Sequence, residues 1–323
     1  MSDQPDTSAT KKRTIQESET QDQGSKNSKS NSKSNSITPI TLDGERPQKK
    51  FYRQRAHCNP LSHNDSFHYP IKPQLMDWTS EYYPTLNDKN NNNNNKHIQP
   101  TVLDVGCGFG GLTMALGAIL PTSTIILGME IRAKVTEYVR LRIVAERKLG
   151  THHNVSVMRT NSQKFLPNYF RPQSLEKLFF CFPDPHFKRK NHPRRIISDR
   201  LLDEYTHLLQ PSTGKLYCIT DVRELHDWHV SKCHAHPLLE CLVVGSDDAT
   251  YQTDALVPQQ NTTKNSTIDD PCIAAMRDKT EEGQKVARNK GHKYWAVYRR
   301  ISLAEEENTV QVTADTFFPT DGS

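Results

Sequence analysis

Residues 178–195 read LFFCFPDPHFKRKNHPRR. An apolar run stops at Asp184, which is held between Pro183 and Pro185. Five permanent cations follow: Lys188, Arg189, Lys190, Arg194 and Arg195. A carboxylate at a strand end, with its backbone restricted by two prolines, is fixed in place and suits stabilisation of a developing cation. The cations suit the phosphates of a polyanion. Pro-Asp-Pro is also good turn chemistry by itself. A glycine turn elsewhere in the chain, together with the cation cluster, favours the functional reading of Asp184.

That glycine turn is DVGCGFGG, residues 104–111. Gly106, Gly108 and Gly111 match G-x-G-x-x-G, a pattern that lets backbone approach a ligand closely. Glu130 stands 24 residues beyond Gly106, at a second strand end, where a carboxylate can accept both hydroxyls of a ribose. Asn161 ends a third strand and is placed to meet an adenine edge. Asp221 ends a fifth. The glycines alone fit a dinucleotide or S-adenosylmethionine. Asp104 favours the latter: it would repel a pyrophosphate but suits a ligand with an α-ammonium and a sulfonium.

These residues need a scaffold that brings strand ends together. From residue 100 the chain alternates apolar strands with helical patterns. Strands are expected at 101–106, 124–130, 154–160, 175–182, 215–222 and 293–301, and helices at 113–120, 132–150 and 194–210. In the second helix Val135, Tyr138, Val139 and Ile143 recur at helical spacing. Alternation of this kind predicts an α/β, Rossmann-like fold, with a doubly wound, mostly parallel sheet and helices on both faces. Ligands then bind at the carboxyl ends of the strands.

The chain has 323 residues, but only 34% are hydrophobic and the mean hydropathy is −0.76. Residues 1–45 have almost no large apolar side chain and read as a disordered tail. The asparagine run at 87–97 and the polar stretch at 246–271 read as inserts, and 302–323 as a C-terminal tail. Removing the N-terminal tail and the two inserts leaves roughly 240 residues, and the C-terminal tail aside they form one domain within 46–301. The net charge is +5. Basic residues cluster at 46–55, 186–195 and 285–300, which could join into one surface for a polyanion. Each cluster alone is ordinary solvated surface. Seven cysteines without a C-x-x-C pair fit free thiols in a reducing compartment. No secretory signal and no membrane-length apolar run is visible. His226, His229 and Cys233 could share a helix face as a zinc site, but the expectation is a polar surface helix and no metal.

DVGCGFGG, GMEIR, FPDPHFKRKNHPRRI and TEEGQKVARNKGHKYWAVYRR together resemble the tRNA (guanine-N7)-methyltransferases, the eukaryotic catalytic subunit most closely. The resemblance covers about residues 50–301. It implies a class I methyltransferase fold, S-adenosylmethionine as cofactor, and methylation of a guanine in the variable loop of tRNA. It also implies nuclear residence beside a non-catalytic WD-repeat β-propeller subunit. By the same resemblance, cofactor contacts fall at Gly106, Glu130, Ile131, Asn161, Ser162 and Cys181, and the catalytic aspartate is Asp184. Lys188 and Asp221 match substrate-side positions, and Thr280, Glu281 and Glu282 match an element closing over cofactor and substrate.

Guanine N7 carries an in-plane lone pair and needs no strong base. The task would be to align it with a methyl donor and to stabilise the purine as it becomes cationic. Phe182 reads as core, while His186 and Phe187 fit either core or stacking on a purine. Two other classes fit part of the pattern. One is a non-catalytic RNA-binding protein on the same scaffold, against which Asp104, Glu130 and Asp184 argue. The other is an NAD-dependent oxidoreductase, against which Asp104 and the basic loop argue.

Overall fold

All four residues of strand β1 (Val102–Val105) are buried. Burial on both faces demands a central place in a sheet with helices on either side. The computed structural model, which describes residues 46–54, 60–61, 66–87, 98–251 and 270–302, has that arrangement. Short helices α1 (Trp78–Glu81) and α2 (Pro84–Asn87) precede β1. Then follow α3 (Gly111–Ile119), β2 (Ile126–Glu130), α4 (Ala133–Lys148), β3 (Val155–Arg159), α5 (Ser162–Tyr169) and β4 (Lys177–Cys181). A 3-10 helix, Arg189–Arg194, leads into α6 (Asp199–Leu208), β5 (Lys215–Thr220) and α7 (Arg223–His234). β6 (Leu239–Ser246), α8 (Pro271–Asp278), α9 (Glu281–Arg288) and β7 (Tyr294–Arg300) complete it.

The strands form one sheet in the order β3-β2-β1-β4-β5-β7-β6. β1 to β5 are parallel; β7 runs antiparallel to both β5 and β6. From β1 the chain winds outward through β2 and β3, then returns to β4 and winds the other way. The winding reverses between β1 and β4, where the two connections diverge and leave a crevice at the carboxyl ends.

Period-two alternation sorts the side chains. Leu103, Val105, Leu127, Met129, Leu178 and Phe180 pack with Leu166, Leu201 and Tyr205 of α5 and α6. Val102, Ile126, Val155 and Phe179 pack on the other face with Leu112, Leu116, Val139 and Met276 of α3, α4 and α8. Each fully buried Leu or Phe contributes about 1.5–3 kcal/mol of apolar transfer. Asp104 shares the face of Val102, which puts its carboxylate beneath α3.

Several expectations need correction. The helix expected at 194–210 begins only at Asp199. Residues before it form the 3-10 helix containing Pro193, and Arg195 is extended with φ −60° and ψ 135°. The stretch LECLVVGS, not expected as a strand, is β6; it pairs along β7 through a register shift between Cys241 and Val243. The insert expected at 246–271 is narrower than that, because Ser246 closes β6 and Pro271 opens α8 under the Asp270 cap. The helix after β5 is not polar surface all round: Arg223, Glu224 and Ser231 are exposed, but His226, His229 and Cys233 share a fully buried face. The tails expected at 1–45 and 302–323, apart from Ser302, and most of both inserts lie outside the described residues.

Candidate active site

One cleft opens at the crevice between β1 and β4, about 890 Å³ with its open mouth included. That is ample for a nucleoside. Gly106, Glu130, Ile131, Asn161, Ser162, Cys181 and Asp184 all line it. They come from the ends of β1 to β4, which the parallel register brings level. Pro60, Arg132, Thr160, Gln163, Phe182, His186 and Arg194 complete much of the wall.

Gly106 adopts φ +79°, a left-handed turn that lets the chain leave β1 across the cleft floor. Gly111 has another reason to be glycine: a Cβ there would lie 2.2 Å from the Lys279 carbonyl oxygen. Its backbone N–H donates to Glu281 Oε2 at 3.3 Å. The 280–282 element therefore packs on the glycine turn. Within it the roles diverge. Thr280 is the N-cap of α9, its hydroxyl accepting from Gly283 N at 3.1 Å. Glu282 pairs with Lys285 at 2.7 Å. Neither lies on the cleft wall.

Glu130 is buried and heavily bonded. Oε1 accepts from the backbone N–H of Ile131 and Arg132, and Oε2 from Gly108 N. The Arg132 side chain spans both oxygens. Arg132, missed in the sequence, is signalled only by its place two residues after the carboxylate. Asn161 donates through Nδ2 to the Pro60 carbonyl, while its Oδ1 is buried with no hydrogen-bond partner among the described residues. Asp104 is off the wall; its Oδ2 accepts from Thr113 Oγ1 at 2.6 Å. Burial, with Glu281 and Glu130 nearby, pushes its pKa up to about 7. The Glu130 carboxylate at the end of β2, Asp104 buried behind the glycine turn and the unmatched Asn161 acceptor fit a nucleoside with ribose hydroxyls and an amine-bearing base.

Asp184 closes the other end. The residues bracketing it are left-handed without being glycine: Phe182 has φ +51° and His186 φ +46°. Left-handed backbone is uncommon for a side chain as bulky as Phe, and of the six non-glycine residues at positive φ among the described residues these two line the cleft. Phe182 N donates to the Ile219 carbonyl at 2.8 Å and its ring packs partly on the core, as expected, while also facing the cleft. Phe187 is 66% exposed, which removes the core reading for it. Lys188, Arg189 and Lys190 are exposed without lining the cleft, and so is Asp221 just after β5.

The three basic clusters do not contribute alike. Arg195 is buried and bonded internally. In the third cluster Lys293 and Arg300 are buried and Arg299 pairs with Glu240. In the first, Arg46 pairs with Glu146, and Lys49 lies 4.2 Å from the Phe109 ring centroid and 3.8 Å from Glu281. Among the described residues, no three His, Cys, Asp or Glu side chains converge to hold a metal.

A seven-stranded sheet in this order, with an antiparallel strand inserted next to its far edge and a cleft holding Glu130 and Asp184 at the β1/β4 crevice, defines a class I S-adenosylmethionine-dependent methyltransferase. A family model described as "Putative methyltransferase" matches residues 98–296. The chain is 46% identical over 266 residues to the tRNA (guanine-N(7)-)-methyltransferase of Eremothecium gossypii, covering 80% of this chain and 84% of that one. It is 45% identical to the proteins of the same name from Oryza sativa subsp. indica (81% and 94% covered) and Arabidopsis thaliana (79% and 92%). The chain belongs to the tRNA (guanine-N7)-methyltransferase family.

Proposed function

We propose that this chain methylates N7 of a guanine in the variable loop of tRNA, with Asp184 as its catalytic carboxylate. The observation that carries the reading is the meeting of Glu130, Asn161 and Asp184 on one cleft, with Arg194 on its wall and exposed Lys188, Arg189 and Lys190 in the loop that follows Asp184. Bound S-adenosylmethionine supplies an electrophilic methyl on a sulfonium. Glu130, with Arg132 moved aside, would accept from its ribose hydroxyls, and Asn161 Oδ1 would accept from its adenine amine. Ile131, Ser162 and Cys181, on the same cleft wall, would flank the nucleoside. Asp184 orients the guanine and stabilises the positive charge that grows on it. N7 attacks with its own lone pair, so no residue need remove a proton first. The loop cations hold backbone phosphates, with Lys188 closest in sequence to Asp184. Asp221 acts on the substrate side, and the 280–282 element acts through Glu281, which braces the glycine turn.

The test is direct. Incubation with labelled cofactor and bulk tRNA, followed by cleavage mapping at N7-methylguanine, should give a single site in the variable loop. Methyl incorporation at another atom or in another RNA class would overturn the reading. Nuclear residence and a WD-repeat β-propeller partner extend the proposal and are supported by the eukaryotic resemblance. Affinity purification of the tagged chain should recover a propeller protein, and full activity of the chain without one would remove it.

A further inference from the structure

Arg195 sits in a run of exposed cations yet is 1% exposed. Its Nε donates to the carbonyl oxygen of Pro185 at 3.0 Å, and its Nη2 donates to Glu224 Oε1 at 2.9 Å. The guanidinium lies 4.8 Å from the centroid of Trp228, whose indole N–H is itself fixed on the Ile197 carbonyl at 2.7 Å. So one buried cation ties the residue after Asp184 to the first turn of α7.

The segment it holds needs holding. Left-handed backbone at Phe182 and His186 is disfavoured for side chains of that size and persists only where the surroundings enforce it. On the upstream side Phe182 N is bonded to Ile219 of β5. On the downstream side Arg195 grips the loop backbone at the Pro185 carbonyl. A guanidinium suits this place because its rigid fork reaches a carbonyl and a carboxylate at once while stacking on an indole.

We propose that Arg195, anchored by Glu224, is a positioning residue for Asp184: it fixes the 183–186 backbone in the geometry that points the carboxylate into the cleft, and it is no phosphate contact. The effect on turnover rests on the methyl-transfer reading above; the clamp itself does not. Loss of the clamp leaves the sheet and the cofactor wall intact but frees the loop, and a misplacement near 1 Å at a reacting centre lowers rate about 100-fold.

Two readouts separate the clamp from the function. Hydrogen exchange at the amides of Phe182, Asp184, His186 and Phe187, the N–H groups this segment carries besides its two prolines, reports the loop without reference to activity. Single-turnover methylation at saturating tRNA, beside filter binding, reports its consequence. Arg195→Gln should speed exchange in that segment at least about tenfold. It should lower the methylation rate about 100-fold, with tRNA affinity held within about twofold. Arg195→Lys should fall between, because an ammonium keeps the charge but not the fork. Glu224→Ala, at a side chain 60% exposed, should shift both readouts in the same direction by a smaller factor, with the melting temperature close to wild type. If Arg195→Gln does not fold, Glu224→Ala decides alone. Unchanged exchange in the folded variants overturns the clamp whatever the activity. Lost tRNA affinity at an unchanged saturated rate makes Arg195 a phosphate contact and also overturns it. A wild-type chain that transfers no methyl to tRNA defeats the functional reading, while exchange still judges the clamp.

Discussion

The Arg132 guanidinium lies across the Glu130 carboxylate, with Nε 3.1 Å from Oε1 and Nη2 2.8 Å from Oε2. With three backbone donors also on that carboxylate, little acceptor capacity is left for a ribose until Arg132 swings away. Glu130→Ala should weaken S-adenosylmethionine by about 1.5–3 kcal/mol, the range of a charged hydrogen bond. Arg132→Ala should instead speed cofactor association without a comparable loss of affinity. Calorimetry and stopped-flow binding distinguish the two, and equal losses in both variants would refute the gating role.

In the role proposed for it, Asp184 acts on charge that appears during transfer, so Asp184→Ala should reduce turnover on the order of 100-fold and leave tRNA affinity nearly unchanged. Neutralising Lys188, Arg189 or Lys190 should do the reverse. Removing one cation that holds a phosphate should flatten the salt dependence by roughly 0.7–0.9 log units per log unit of salt. Filter binding over a salt series, alongside single-turnover rates, checks both. A strong affinity loss in Asp184→Ala would make it a docking residue.

His226 and His229 give the fold an acid limit. Both are fully buried, and their four ring nitrogens have no hydrogen-bond partner among the described residues. Burial lowers their pKa values to about 4 and about 3, with His226 and Arg195 adding to the effect on His229. Unfolded, each ring takes up a proton near pH 6.5. Below that pH the unfolded chain therefore binds more protons than the folded one. Their contribution is full above pH 6.5 and falls by about 1.4 kcal/mol per unit per histidine as pH drops toward the folded values. Urea unfolding from pH 7.5 to 4.5 should show the decline, and His229→Leu should make it shallower.

Asp104 acts with the opposite sign. Its folded pKa, raised to about 7, exceeds the unfolded value, so its contribution is full below about pH 4 and is lost as pH rises through 7. Asp104→Asn should raise the melting temperature of the ligand-free protein at neutral pH. It should also shrink the additional stabilisation that S-adenosylmethionine provides, since a nearby cation favours the ionised carboxylate. Scanning calorimetry with and without cofactor reads both, and a variant that melts lower without ligand would count against the buried charge.

The strand ends were legible in the chain itself. A short apolar run fixes a strand, and the residue after it is fixed by covalent neighbours, so Gly106, Glu130, Asn161 and Asp184 reach one crevice once the sheet is parallel. What the chain did not disclose depends on partners far away in sequence. Lys188 and Arg195 read alike within one basic run. Only Glu224 and Trp228, brought in by α7, bury the second and leave the first exposed. The zinc-like histidine spacing on α7 became a buried face because that helix packs on the sheet. β6 was hidden because a strand at a sheet edge is defined by its pairing with β7, not by its own residues. The Thr280 cap on Gly283 is a local contact, but Glu281 became a brace for the glycine turn only when that turn, 170 residues away in sequence, met it. Chemistry carried by contiguous residues is written locally. Burial, pairing and the choice of which charge faces solvent are settled by non-local packing, because the desolvation that decides them exists only once the distant surfaces meet.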